Sequence, residues 1–295
     1  LSLHDALPIY GFLSDFSVSD SNKRQQIIET LNRFHTNGIQ FYDWQDSHSQ
    51  PLTVVDNKPL TSWQDINHRA ILFEAVSDYI SLAHAKNMRA MNYNLAYGSY
   101  QQDALDHPEW ALYTDSNHTQ MAKYPLPGWE SDLYLMNPAN PDWQDYLFAQ
   151  EKLVNDYLAF DGWHVDQLGS ASYFDYNGNR VNLATAFASL LTKAKTVLGK
   201  ELVMNAVDGY AQREIMATNT TDFQYTEVWG NSKNYSDLSL IIDYNHLRSK
   251  ESLGQSQASV LAAYMNYNKA NKPGYFNEPG VLLTNAAIFA SGGSH

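Results

Sequence analysis

Eight short apolar runs recur along the chain, most of them followed by a stretch with helical periodicity, and this alternation limits the fold more than any other feature. The runs are Tyr10 to Phe16, Ile39 to Trp44, Arg89 to Ala96, Phe160 to Leu168, Glu201 to Ala206, Phe223 to Trp229, Val260 to Tyr267 and Ala286 to Ser291. Strands that alternate with helices pair in parallel and need cover on both faces, so the choice lies between a closed barrel and a doubly wound open sheet. The open sheet lacks support, because no Gly-rich dinucleotide turn follows any run. The expected fold is therefore α/β, a (β/α)8 TIM-type barrel over residues 10–295, truncated after strand eight and so incomplete at its C-terminus. Leu1 to Ile9 is unlike the rest, resembles a translated adapter junction, and is expected to be a non-native leader.

Helix boundaries carry their own signals. Asp20 and Ser21 can cap a helix that stops at Asn37-Gly38, and a second runs from Arg69 to about Asn87. Asn140 followed by Pro141 opens a third, whose buried stripe contains Trp143, Leu147 and Val154, and Leu183 to Leu198 is a fourth that stops at Gly199. Tyr97 to Asn140 shows no helix longer than a turn or two. An excursion of that length is uncommon in a compact domain unless it is functional, and it is expected to form one wall of a cleft.

The composition narrows the ligand. Only 17% of residues are charged, with 20 Tyr, 12 Phe and 7 Trp, so clefts must be built from aromatic, amide and hydroxyl side chains, which suits a neutral, hydroxyl-rich ligand. A net charge of −13 without a Lys/Arg cluster argues against nucleic acid or an anionic membrane as partner. There is no cysteine, hence no disulfide, thiolate metal site or Cys nucleophile. No metal site or cofactor is expected: no His pair has ligand spacing, no phosphate-cradling loop is present, and no Gly-x-Ser-x-Gly elbow supports a Ser/His/Asp triad. Asp175 to Asn179 has calcium-loop letters but reads better as an Asn-Gly turn.

Acids at the ends of the runs are Asp15, Asp43, Asp166, Asp208 and Glu227. On period-two geometry Trp163, Val165 and Gln167 share one face of the fourth strand, while His164, Asp166 and Leu168 share the other. Asp166 then sits at the strand's C-terminal end, where a barrel carries its chemistry. Glu227 lies between Tyr225 and Trp229 at the end of strand six. An acid among aromatics is partly desolvated and suited to proton donation, whereas one among hydrogen-bond donors stays ionised. That pairing fits a glycosidase, with Asp166 as carboxylate nucleophile and Glu227 as acid/base. Asp43, Trp44, Asn94, Tyr97, His164, Gln167, Asn205, Trp229 and Asn266 are the expected substrate-binding residues, with Trp129 a further stacking candidate. His164 lies a layer deeper than Asp166 and reads as a hydrogen-bonding histidine rather than a proton shuttle.

The combination Gly162-Trp163-His164-Val165-Asp166-Gln167-Leu168-Gly169, Tyr225-Thr226-Glu227-Val228-Trp229, Phe41-Tyr42-Asp43-Trp44-Gln45 and Asn92-Tyr93-Asn94-Leu95-Ala96-Tyr97-Gly98 resembles the catalytic module of glycoside hydrolase family 66, from about Tyr10 to His295. That family comprises endo-dextranases and cycloisomaltooligosaccharide glucanotransferases. The resemblance implies a retaining attack on α-1,6-glucan, with the nucleophile carried onto Asp166 and the acid/base onto Glu227. No counterpart of the family's N-terminal immunoglobulin-like domain or C-terminal β-domain is expected within residues 1–295. Cyclising members carry a carbohydrate-binding module inserted in the second half of the barrel, for which Asn268 to Pro279 leaves no room. The expectation is a monomeric endo-dextranase of a bacterium, placed outside the cell because its polymer cannot be imported. A cyclising transferase and a non-catalytic dextran-binding barrel are the alternatives, and the presence of both Asp166 and Glu227 weighs against the latter.

Overall fold

The computed structural model describes residues 8–229, 234–265 and 277–295. Seven strands form one all-parallel sheet in sequence order: β1 (Tyr10–Leu13), β2 (Gly38–Phe41), β3 (Arg89–Leu95), β4 (Gly162–Asp166), β5 (Glu201–Val207), β6 (Gln224–Val228) and β7 (Ser259–Ala263). The sheet curls into a nearly closed barrel. Tyr10 of β1 packs against His164 of β4 and Tyr225 of β6, contacts that a flat sheet of this order would forbid.

Helices α1 (Ser21–Arg33), α2 (Phe73–Ala85), α3 (Pro141–Tyr157), α4 (Leu183–Leu198), α5 (Gln212–Ala217), α6 (Tyr235–Leu253) and α7 (Glu278–Ala290) flank the strands. The helix expected from Arg69 begins instead at Phe73, because Ala70–Leu72 pairs as a strand with Ser62–Gln64, whereas α1 and α3 start on the expected caps. The Asp20 carboxylate accepts from Asn22 N, and Asn140 Oδ1 accepts from both Asp142 N and Trp143 N ahead of a proline at the first helical position. Gly199 ends α4 at φ 62°, a left-handed conformation that costs glycine nothing.

Side chains on the strands sort by period two. Trp163 and Val165 of β4 and Leu202, Met204 and Ala206 of β5 point outward into an apolar layer with Phe148 of α3 and Phe187 of α4. Tyr10, Met91, Val203, Phe223 and Val260 form a separate cluster inside the barrel. Beneath it Arg89 pairs with Glu201 at 3.5 Å near the strand N-termini. The opposite, C-terminal end of the strands is left to polar side chains, as the sequence pattern requires.

The eighth strand expected over Ala286 to Ser291 is not a strand. These residues close α7, which begins at the Asn277 cap with Pro279 in its first turn and buries Thr284 and Ile288 one turn apart. A short apolar run has the same composition in a buried strand and a buried helix turn, and here the cap decides. The next parallel contact with β7 is a single bridge, Val260 to Ser294. Tyr97 to Asn140 folds into a short helix, Gln101–Asp106, and a three-stranded antiparallel sheet of Gly98–Ser99, Leu133–Leu135 and Lys123–Tyr124.

Gly162 opens β4 on the inner face, where the Glu201 carbonyl oxygen and Met91 Cε would each stand 2.5 Å from an added Cβ. Gly162→Ala is therefore expected to lower stability by about 1–3 kcal/mol, because one of the contacts is backbone and cannot move aside. Chemical denaturation of the variant reads this directly, and an unchanged midpoint would contradict the close packing of β4 on β5.

Candidate active site

Three consecutive strands present one polar side chain each to the mouth of the barrel. The register pairs His164 with Val203, and Asn205 with Tyr225, so Asp166 of β4, Asn205 of β5 and Glu227 of β6 fall on the inner face near the C-terminal ends. Asn205 Nδ2 lies 2.8 Å from Asp166 Oδ1 and 2.8 Å from Glu227 Oε2. The two carboxyl oxygens therefore stand no more than about 5.6 Å apart, and about 4.8 Å apart if both amide hydrogens point straight at them.

Asp166 accepts three hydrogen bonds: Tyr93 Oη to Oδ2 at 2.8 Å, and both Gln167 N and Asn205 Nδ2 to Oδ1 at 2.8 Å. Burial pushes the Asp166 carboxyl upward, and these donors oppose it. Glu227 is raised chiefly by burial and then by the charge of Asp166, against hydrogen bonds from Asn205, Trp229 and Tyr264. The pair thus shares a site in which both ionised forms are costly and each charge repels the other. Such an arrangement favours one proton shared by the pair over two ionised carboxylates.

The remaining expected residues divide into those that reach the site and those that do not. Asp43 is buried beside it, at φ 49°, with Arg69 Nη2 at 3.2 Å, and burial lifts its carboxyl to about 7. Trp229 is 37% exposed and stacks on Tyr264 at 4.2 Å, an aromatic surface next to Glu227. Trp129 is partly exposed on the Tyr97 to Asn140 excursion. Asn266 lies outside the described residues.

Five of the expected residues are turned into the protein rather than presented at the mouth. Trp44 is fully buried among core aromatics with its indole N–H on Asn92 Oδ1, so its ring offers no free face. The left-handed turn at Asp43 swings it out of the strand's alternation. Tyr97 is buried against Phe187, and its hydroxyl accepts from Leu168 N, holding the turn after β4. Asn94 points away from the barrel axis to Glu151 of α3 at 3.0 Å. His164 is 1% exposed below Asp166, bonded through Nδ1 to Tyr10 Oη, and burial depresses it to about 3. Gln167 spends its amide on Asn205 O and on Gly169 N, bracing the turn rather than facing the mouth.

Tyr93, Tyr42 and Tyr264 are site residues that the sequence reading missed. Tyr93 sits between the two asparagines that drew attention by their polarity, yet it alone shares the inner face with Asp166. Tyr42 stacks obliquely on it at 4.6 Å. The signal available was register: a residue flanked by outward positions on a parallel strand must face inward. Glu151 was missed as well, though its position one turn from Leu147 puts a carboxylate on an apolar stripe. Asn92 and Asn94 hold it, and burial raises it to about 7. A cavity of about 260 Å³ lined by Gln212, Thr226, Leu240 and Tyr244 lies between α5 and α6, outside the sheet, and neither carboxylate borders it.

A nearly closed parallel barrel with two carboxylates at its C-terminal mouth defines a glycoside hydrolase-type barrel. The sequence profile of the family described as Glycosyl hydrolase family 66 matches residues 4–295, and the chain belongs to that family. It is 32% identical over 276 residues to a cycloisomaltooligosaccharide glucanotransferase of Niallia circulans, covering 88% of this chain and 28% of that protein. It is 23% identical over 340 residues to a dextranase of Streptococcus salivarius, covering all of this chain and 41% of that protein. The crystal structure of a Paenibacillus sp. cycloisomaltooligosaccharide glucanotransferase complexed with cycloisomaltoheptaose superposes with a TM-score of 0.81 at 32% identity, over 88% of this chain and 39% of that one. The chain thus spans less than half the length of these relatives.

Tyr93→Phe removes one of the three donors on Asp166. A donor to the ionised form lowers an acid's pKa, so its loss raises it, by about one unit. Carbon-13 titration of the Asp166 carboxyl should show the midpoint displaced upward in the variant. An unmoved midpoint would mean that the tyrosine does not hold the carboxylate.

Proposed function

We propose that this barrel cleaves α-1,6-linked glucan, the backbone of dextran, by double displacement with retention of anomeric configuration. The observation that carries this reading is the separation of the two acids, held within about 5.6 Å by the shared Asn205 amide. Retaining glycosidases place their carboxyl groups about 5 to 5.5 Å apart, whereas inverting enzymes need about 6.5 to 9.5 Å to admit a water between acid and sugar.

In the first step Asp166 attacks the anomeric carbon. The bond to the glycosidic oxygen breaks as Glu227 gives that oxygen its proton, leaving a glycosyl ester on Asp166 and an ionised Glu227. In the second step Glu227 takes a proton from water. The hydroxide oxygen bonds to the anomeric carbon, and the ester electrons return to Asp166. The Trp229 and Tyr264 rings beside Glu227 supply a flat apolar face for a pyranose. The family membership, and relatives whose names refer to dextran and to isomaltooligosaccharides, support the substrate class. We read residues 10–295 as the catalytic barrel, acting within the polymer and releasing isomaltooligosaccharides outside the cell, because a polysaccharide of this size cannot be imported.

A second reading has its own support. Identity to the glucanotransferase, at 32%, exceeds that to the dextranase, at 23%. In a transferase a sugar hydroxyl replaces water in the second step, with the same two residues in the same roles. Residues 264–277, which join β7 to α7, are too few to hold an inserted module, and this favours water.

Incubation with dextran should release short linear α-1,6 oligosaccharides of retained configuration, and Asp166→Asn and Glu227→Gln should each lower the rate by about 10²–10⁴-fold. Cyclic products would establish the transferase reading. Binding of dextran without turnover by the unmodified protein would replace both with a non-catalytic barrel.

A further inference from the structure

Asn205 is nine-tenths buried on the inner face of β5, flanked by β4 and β6, and its hydrogen-bonding capacity can be accounted for atom by atom. Both amide hydrogens go to carboxyl oxygens, one on Asp166 and one on Glu227. Its backbone carbonyl accepts from Gln167 Nε2. Its Oδ1 is buried without a partner. The orientation is dictated by its neighbours, since turning the amide over would set Oδ1 against two acceptors. No donor is left over for a sugar hydroxyl, and both N–H groups are committed to the two acids.

Double displacement moves one negative charge between the two acids. In the resting enzyme it lies on Asp166 while Glu227 holds the proton; in the glycosyl ester Asp166 is neutral and Glu227 is ionised. A donor bonded to only one of them would stabilise one half-reaction at the expense of the other. We propose that Asn205 is a positioning residue that follows this charge, keeping one hydrogen on whichever carboxylate is ionised, holding the pair at one separation through both steps, and leaving Oε1 as the Glu227 oxygen that carries the proton. This rests on the roles given above to Asp166 and Glu227.

Other titratable groups face the pair. They are Tyr42 and Asp43 after β2, Tyr93 on β3, His164 below on β4, Tyr225 on β6 and Tyr264 after β7, with Arg69 bound to Asp43. Burial drives the tyrosines above their ordinary range and His164 down to about 3, so all of these stay neutral at working pH. Among the described residues Asp43, lifted to about 7, titrates alongside the pair.

The test is the pH dependence of kcat and KM on dextran for the purified protein and for Asn205→Ala, Asn205→Ser and Asn205→Asp, each repeated in an Asp43→Asn background, with thermal melts to confirm folding. Loss of a hydrogen bond to a charged group is expected to lower kcat about 10- to 100-fold in Asn205→Ala, with KM little changed. Both limbs of the profile should move to higher pH by about one unit, because each acid loses a donor that favoured its charged form. Asn205→Ser, which keeps one donor, should fall between alanine and the unmodified protein. Asn205→Asp is closest in shape but adds a third carboxyl, so it should displace the limbs furthest and cost the most. A lower plateau with both limbs in place, an aspartate variant milder than alanine, or a displacement that disappears in the Asp43→Asn background would overturn the proposal. None of these outcomes touches the roles of the acids, which fall if Asp166→Asn or Glu227→Gln keeps full activity or if the unmodified protein binds dextran without turnover.

Discussion

Two carboxylates held close together and partly out of water are the constraint around which the C-terminal mouth of this barrel is built. An ionised acid removed from solvent is costly unless donors replace the water it has lost, and two such acids also repel one another. The protein meets this with neutral donors rather than cations. A backbone amide, a tyrosine hydroxyl and a shared asparagine serve Asp166, while the same asparagine, an indole and a second tyrosine serve Glu227. Lys or Arg in their place would hold both acids ionised and remove the proton that the proposed leaving-group step needs. Arg69 is instead committed to Asp65 and Asp43, to one side of the pair.

The donors are aimed by a second layer of polar contacts behind the strands. Gln167 ties the turn after β4 to the backbone of Asn205, and Tyr97 holds the next residue of that turn. On the outer face Glu151 gathers Asn92 and Asn94, and Gln212, Thr226 and Asn245 form a closed network between β6 and the helices α5 and α6. Buried polar groups of this kind are tolerated only when satisfied, and here nearly every donor has a named acceptor. Their effect is to fix the tilt and height of β3, β5 and β6 relative to the helices, and hence where the inner side chains end.

How much of this could be read in advance differs from residue to residue. The acids on β4 and β6 were legible because each ends an apolar run and has a chemically telling neighbour. Most helices were legible because caps such as Asp20, Asn140 with Pro141, and Gly199 act locally. Tyr93 was not, because β3 is buried on both faces and loses the polar alternation that would reveal its inner side. Trp44 was misplaced because the left-handed turn at Asp43 reverses a strand's parity without leaving a glycine as a sign. The run from Ala286 to Ser291 has the composition of a strand, while the signal for a helix, Asn277 followed by Glu278 and Pro279, stands nine residues earlier.

The sequence by itself determined the parallel α/β barrel, the family, and the two acids, since all three follow from periodicity, capping and motif, which act over short stretches of chain. Only the tertiary structure decided what lies between the acids. That Asn205 donates to both depends on the stagger of three neighbouring strands, a quantity set by packing across residues far apart in the chain. The same holds for the partition of polar residues into those that face the mouth and those that face the helices, because on a strand buried on both sides nothing local distinguishes the two.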